Sequence, residues 1–528
     1  MKLEISHPVT TVQIEKPAAA AGLRRSWLPL FILTALVAIG AFLRFDQITR
    51  QDLWRDEYWT LCLATGRGQM LVQQPRNQVV DPPPPAGFAG APPWWHIWNS
   101  IQTTSHPPLY HIALRFWVDA LGDGDLSVRG MSFFFSLGSI VLLYLAVKAS
   151  GGKQWQAMTA AAIMTLAPVQ IYYSQQVRPY TMLEFIALAA AIVLMRIENR
   201  GISPLKVLTL AIATAAMALT HYFSAGLIAA MALYALFRFR GRARIATVSA
   251  IFIGGILAAV VWAPHFGDYS LVDYGRIHGR NLFHLLLSVP QRLTLDSNVD
   301  PLLMADSGSW PLVIALAVLV YLVPLYLMRR ERWLLFWWLS ASASTLLVFA
   351  LDVARHSALL TFTRYVIPAA PGVYAILAGP LPSRLGKLVP WIILLGVGIY
   401  AADYSSAGPP SSPDLKIISH MVRREVLPDD VVIVTGSYYF AGSDEPPMTY
   451  FAIAHYGGPW NVPVLFGTAV ISPQVQARLL QFHRIWVLGI SPDSDTAKIL
   501  PGWTVRGIHG PGDSNLLWYV TPKSQVKP

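Results

Sequence analysis

Two polar clusters in one long loop carry groups suited to chemistry at a membrane surface. Leu53-Trp54-Arg55-Asp56-Glu57-Tyr58-Trp59 sets adjacent carboxylates among aromatic rings, and Ser105-His106-Pro107-Pro108-Leu109-Tyr110-His111 follows about fifty residues later. Trp and Tyr concentrate at headgroup level, where partial desolvation strengthens a carboxylate as a base. Such a base can take the proton of an acceptor hydroxyl or amine as that group attacks a sugar. Two arginines could bind an anion. Arg178 in Ser174-Gln175-Gln176-Val177-Arg178-Pro179-Tyr180 and Arg364 in Thr361-Phe362-Thr363-Arg364-Tyr365 fall at expected outer helix ends. A guanidinium binds phosphate in bidentate fashion.

Each residue also has a plainer use. An acidic dipeptide in a soluble loop is a solvated pair, and an arginine at a helix end snorkels to headgroups. His106 can cap a helix, Pro107-Pro108 fix the entry angle of the helix that follows, and His221-Tyr222 reads as packing. The context favours chemistry, because both clusters share one loop at the edge of the membrane.

The chain has 528 residues, 54% hydrophobic and only 13% charged, with a mean hydropathy of +0.45, which marks a polytopic membrane protein. Eleven apolar stretches have the length of spans: 27–45, 128–147, 155–173, 181–196, 205–222, 224–239, 246–264, 311–328, 333–351, 366–380 and 388–403. The first lacks a small-residue cleavage site before Arg44-Phe45-Asp46 and reads as a retained anchor. Basic residues at alternate turns, from Arg24/Arg25 through Arg238/Arg240/Arg242/Arg244 to Arg384/Lys387, place those turns and the N-terminus in the cytoplasm. The loops 46–127 and 265–310 and the C-terminal region then lie outside. The net charge of +11 sits mainly in these turns, so topology accounts for it and no nucleic-acid partner is expected. Cys62 is the sole cysteine, which excludes an intrachain disulfide and a thiolate metal cage.

Within the first outer loop, Asn77 to Pro93 is rich in proline and glycine and reads as an extended, mobile cover. Pro107 to Leu121 and residues 282–293 read as short interfacial helices. Residues 1–403 form the transmembrane part, 404–413 a Pro/Ser/Gly linker, and 414–528 a small extracytoplasmic α/β domain. In that domain, 414–426 and 473–482 read as helices, and 431–435, 484–490, 503–508 and 516–521 as strands.

The order Trp54-x-Asp56-Glu57 after the first span, His106-Pro107-Pro108-Leu109-Tyr110 in the same loop, and Arg364-Tyr365 at a later outer helix end resembles the GT-C glycosyltransferases. Protein O-mannosyltransferases and lipid A aminoarabinose transferases share this layout over residues 27 to about 403. The resemblance implies an inverting transfer of a sugar from a polyprenyl-phosphate carrier to a lipid, glycan or protein acceptor, on the outer face of the cytoplasmic (inner) membrane. It implies Asp56 as the catalytic carboxylate with Glu57 in support, and His106, Arg178, Tyr180, Arg364 and Tyr365 as substrate-binding residues. Arg178 stands where the aminoarabinose transferases have an aspartate, and His106 where they have a lysine. With that second acid absent, no metal and no other cofactor is expected to be required. A transporter or flippase of a lipid-linked sugar is the rival class. It expects ionisable groups at span centres, where the early spans offer mainly Glu184.

Overall fold

The structure is a computed structural model that describes residues 27–101, 106–263, 281–296, 310–379, 387–407, 415–435, 446–467, 472–488, 503–509 and 517–522. Arg24/Arg25, Ser105, Arg384, most of the 265–310 loop and the 408–413 part of the expected linker lie outside the described residues.

The chain is mostly helical, and among the described residues seven helices can, by length and composition, cross a membrane: Leu28–Phe45, Asp125–Ala149, Tyr180–Arg200, Gly241–Trp262, Trp310–Leu327, Leu334–Arg355 and Val389–Ser406. Phe31, Phe42, Leu205, Phe252 and Leu395 stand two-thirds or more exposed on the bundle surface. An apolar belt of this size on a folded chain needs a non-aqueous neighbour.

Four of the eleven expected spans are helical but short or broken. The 155–173 stretch divides into Gln154–Leu166 and Pro168–Ser174, because Pro168 lacks an N–H and its ring clashes with the preceding turn. Arg44, fully buried at the end of the first helix, repairs the break. It donates to the carbonyls of Met164 and Thr165, each at 2.9 Å, and to Ser136 Oγ at 2.9 Å. The chain can then turn at 175–179, which brings Arg178 to the Arg55–Ala64 helix. The 366–380 stretch is reduced by Pro368 and Pro371 to a 3-10 turn and the helix Ala370–Leu377. Pro204–Thr220 and Ser224–Arg238 are 17 and 15 residues long. In the Trp310–Leu327 span, the five-residue π-helix Val318–Leu322 accommodates Pro324.

Among the described residues one six-stranded sheet forms, in the order β1-β3-β2-β4-β6-β5. The strands are β1 (Val79–Val80), β2 (Val431–Val434), β3 (Val464–Phe466), β4 (Ile485–Leu488), β5 (Trp503–His509) and β6 (Leu517–Pro522). β3, β2 and β4 are parallel, linked through the helices Pro446–Gly457 and Pro473–Leu479, as parallel pairing requires. The expected soft cover is partly ordered, since β1 comes from the first outer loop and pairs antiparallel with β3. Tyr450 also donates to Pro83 O at 2.6 Å. The apolar alternation in the short segment at 79–80 had no neighbour in sequence to reveal this pairing.

The C-terminal chain therefore shares its core with the first loop. Val432, Val434, Phe451 and Leu415 pack with Tyr58, Cys62 and Leu71, so the helix Arg55–Ala64 has its back against the sheet's helical layer. Val431, Ile433, Leu465 and Ile485 cover the other face. A polar clamp fixes the same junction. Asp52 Oδ2 accepts from the backbone N of Lys416 at 2.8 Å, which caps the Leu415–Glu425 helix. Lys416 Nζ bridges Asp52 Oδ1 at 3.1 Å and Asp125 Oδ2 at 2.7 Å. Tyr456 Oη accepts from Leu53 N at 2.7 Å. Asp52→Ala is expected to destabilise this junction by about 1–2 kcal/mol, and Asp52→Asn by less because asparagine still caps. Thermal unfolding followed by tryptophan fluorescence checks the order.

Candidate active site

The helix Arg55–Ala64 starts at a fixed place because Glu57 stitches it to three neighbours. Trp54 stands extended before the helix, and its N–H donates to Glu57 Oε2 at 3.2 Å. Arg129 grips both carboxylate oxygens, with Nε to Oε1 at 2.9 Å and Nη2 to Oε2 at 2.7 Å. The N–H of Val177 donates to Oε1 at 2.9 Å. Arg129 extends the network to the carbonyls of Ile48, Gln51 and Asp52 at 2.7, 2.8 and 3.1 Å. Glu57 and Arg129 are 0% and 3% exposed. Glu57 thus faces inward with both oxygens occupied.

Asp56, one step along the first turn, faces the other way and keeps 22% of its side chain exposed. Its Oδ2 lies 3.0 Å from Arg364 Nη1 and 3.8 Å from Arg178 Nη2. Arg178 has independent anchors, since its Nη1 donates to Asp56 O at 3.1 Å and to Thr60 Oγ1 at 2.9 Å. Arg364 is held among rings, its guanidinium 4.9 Å from the centre of Phe362, 5.1 Å from Tyr365 and 6.0 Å from Trp54, a favourable cation–π setting. The Trp54 indole N–H is buried with no acceptor among the described residues, a spare donor beside the same carboxylate.

His106 completes the group. Its Nε2 lies 3.2 Å from Arg178 Nη2; because an arginine can only donate, Nε2 accepts and the imidazole is neutral. Burial, together with the charge of Arg178, holds His106 well below the usual histidine range. At Nε2, then, His106 accepts from Arg178. His111, whose Nδ1 donates to Pro107 O at 3.2 Å, is pushed down to about 3, by burial first and then by Arg178. Tyr180 packs on Tyr173 and His221 with centroids at 5.1 and 5.5 Å and lies 5.7 Å from the Arg178 guanidinium. Tyr365 packs on Phe223 at 4.9 Å. Both tyrosines form walls behind the arginines.

These two histidines set an acid limit on stability. An unfolded histidine titrates near ~6.5, so below that pH the unfolded chain binds protons that the folded chain refuses. Stability is complete above about 6.5 and falls with pH toward the folded values, by about 2 kcal/mol at pH 5 for His111. The melting temperature is expected to drop between pH 7 and pH 5, and less steeply in His111→Asn; equal slopes in the two proteins would contradict this.

Asp56, His106, Arg178, Tyr180, Arg364 and Tyr365 therefore meet, although the salt bridge between Asp56 and Arg364 joins positions 308 apart. Arg129, Thr60 and the Asp52–Lys416 clamp were absent from the sequence-based set. Arg129 left one signal, an arginine in the second turn of a span. Among the described residues no group of three or more His, Cys, Asp or Glu side chains is placed to hold a metal ion.

Residues 105–267 match the family model described as dolichyl-phosphate-mannose-protein mannosyltransferase. No curated protein matches the chain in sequence. Among solved structures, ArnT from Cupriavidus metallidurans in the apo state aligns over 96% of this chain and 99% of its own, with 12% identity and a TM-score of 0.52. ArnT from the same organism bound to undecaprenyl phosphate aligns over 95% and 100%, with 13% identity and a TM-score of 0.47. The protein O-mannosyltransferase Pmt1-Pmt2 complex of S. cerevisiae, bound to the sugar donor, aligns over 45% and 34%, with 14% identity and a TM-score of 0.34. At 12% identity the likeness to apo ArnT is one of fold, and with the family-model match it bears out the resemblance to GT-C glycosyltransferases read from the motifs.

Proposed function

We propose, from the premise that this multi-pass membrane chain resembles GT-C glycosyltransferases, that it transfers a sugar from a polyprenyl-phosphate carrier to an acceptor outside the membrane. One observation carries the proposal. A partly exposed carboxylate, Asp56, is flanked by two buried arginines at 3.0 and 3.8 Å, which pairs a base for the acceptor with cations for a phosphate. The matched family's description names a lipid-phosphate sugar donor, and the matched stretch includes Arg178.

In the proposed reaction the acceptor's O–H or N–H gives its proton to Asp56 while its heteroatom bonds to the anomeric carbon. The bond from that carbon to the phosphate oxygen breaks and its electrons stay with the phosphate, which leaves as a monoester carrying one more negative charge. Arg364 and Arg178 stabilise that added charge where it develops. Attack from the face opposite the leaving group inverts the anomeric centre. As the phosphate gains charge it draws the guanidiniums from Asp56, whose basicity rises as the proton must be taken. Glu57 and His106 are positioning residues, for the Arg55–Ala64 helix and for Arg178. We further propose that all eleven apolar segments belong to the membrane domain with the N-terminus cytoplasmic, and that residues 414–528 form an outer domain guiding the acceptor.

Donor binding separates the clamp from the base. Purified protein titrated with polyprenyl-phosphate sugar is expected to bind about ten- to a hundredfold more weakly as Arg364→Gln, the loss of one charge-assisted contact. Asp56→Asn is expected to bind the donor at least as well as the native protein, since it removes a competitor for the arginines. Undiminished binding by Arg364→Gln would remove the arginine from the phosphate site.

A further inference from the structure

The helices Asp125–Ala149 and Tyr180–Arg200 both begin at the site, near Arg129, which grips Glu57, and at Tyr180, beside Arg178, and run in the same direction away from it. With 25 residues at about 1.5 Å each, the first reaches roughly 37 Å, so its far end lies at the opposite membrane surface. The two pack closely: Phe135 and Phe185 have centroids 5.3 Å apart, and a Cβ on Gly138 would stand 2.6 Å from the Phe185 ring. At the far end Asn199 Nδ2 donates to Ala149 O at 2.8 Å and fixes the spacing of the two helix ends.

A groove of about 300 Å³ opens there, with Leu145, Ala149 and Ile192 on its floor and Lys148, Arg196 and Arg200 on its rim. All three cations are exposed, and among the described residues none is paired with a carboxylate. Glu198 is taken by Arg238 at 2.6 Å and by the Tyr234 hydroxyl. Helix C-termini carry partial negative charge that would oppose an anion, but Lys206 already meets it. Its Nζ donates to the carbonyls of Gly201, Arg196 and Arg200 at 2.6, 3.4 and 3.5 Å. The guanidiniums of Arg196 and Arg200 remain available for a bidentate anion. Leu145, 44% exposed, carries the apolar floor onto the lipid-facing surface.

We propose that this groove binds the phosphodiester headgroup of an anionic membrane lipid, in the leaflet opposite Asp56, with an acyl chain along Leu145 and Ile192. Basic pockets between helices at a membrane surface suit such headgroups, and the apolar floor selects a lipid over a soluble phosphate.

The test is native mass spectrometry of the full chain in detergent titrated with phosphatidylglycerol. Arg196→Gln/Arg200→Gln is expected to retain that lipid roughly thirtyfold more weakly than the native protein. Arg240→Gln/Arg242→Gln, the same charge loss in another turn, is expected to retain it at native strength. Phosphatidylcholine and millimolar glycerol phosphate should not displace the bound lipid. Equal retention by the groove variant and the native protein would overturn the proposal, as would an equal loss in both double variants. Displacement by glycerol phosphate or by phosphatidylcholine would overturn it too. Melting in phosphatidylcholine, expected to be unchanged because both arginines are exposed, verifies that the groove variant is folded.

Discussion

Asp56→Asn is expected to lower the rate of sugar transfer at least about a thousandfold while the protein still inserts, folds and binds donor. Removing a positioned base costs about 10²–10⁴ in rate, and in the proposed reaction the same carboxylate would also face the positive charge that develops on the sugar ring, as in other oxocarbenium-like reactions. Asparagine keeps the shape of the side chain, and its carbonyl oxygen can still accept from Arg364, 3.0 Å away in the native protein. Arg178 stays in place through Thr60 Oγ1 and Asp56 O, which the substitution does not touch. The expected signature is donor bound but not consumed. Single-turnover transfer with donor bound in advance measures it, and near-native turnover would remove Asp56 from the base's role.

Glu57→Gln is expected to fail differently, by losing about 3–5 kcal/mol of stability. Glu57 and Arg129 are both buried, and breaking a buried pair strands the remaining charge, which costs far more than the pair's net worth. The amide also turns one acceptor into a donor aimed at a donor, since Arg129 and the N–H groups of Val177 and Trp54 converge on the two oxygens. Glu57→Gln combined with Arg129→Met, which removes the stranded charge, is expected to regain part of the loss. Thermal melts of the two singles and the double check this. A Glu57→Gln protein that melts like the native one but does not turn over would instead place Glu57 against the substrate.

The contrast explains why adjacent carboxylates look equivalent in sequence and differ in the fold. Neighbours on a helix point about 100° apart, so one of the pair can face an aqueous opening while the other is buried, but which one depends on where Arg129 and Val177 arrive. Those partners come from 72 and 120 positions away. Asp56 and the arginines were legible because aromatic framing, loop position and helix ends are local marks. The Leu109–Leu121 helix was legible for the same reason, being announced by Pro107-Pro108 and an amphipathic pattern. Long-range contacts hid the rest. The bend after Gln154–Leu166 needs both Pro168 and a buried Arg44 to satisfy the freed carbonyls. β1 is two residues long and exists only because β3 offers it an edge. The fusion of Tyr58 and Cys62 with the C-terminal core left no trace in either segment, which is why 414–528 read as a separate unit.

The most direct test of Asp56 as the base of a lipid-linked sugar transfer is mass spectrometry of lipids and envelope glycans from cells carrying either the native protein or Asp56→Asn at equal abundance. The expected result is accumulation of one polyprenyl-phosphate sugar and loss of one glycan in the variant, which would name donor and acceptor together. Matching profiles would contradict the assignment and move transport of a lipid-linked sugar ahead of its transfer.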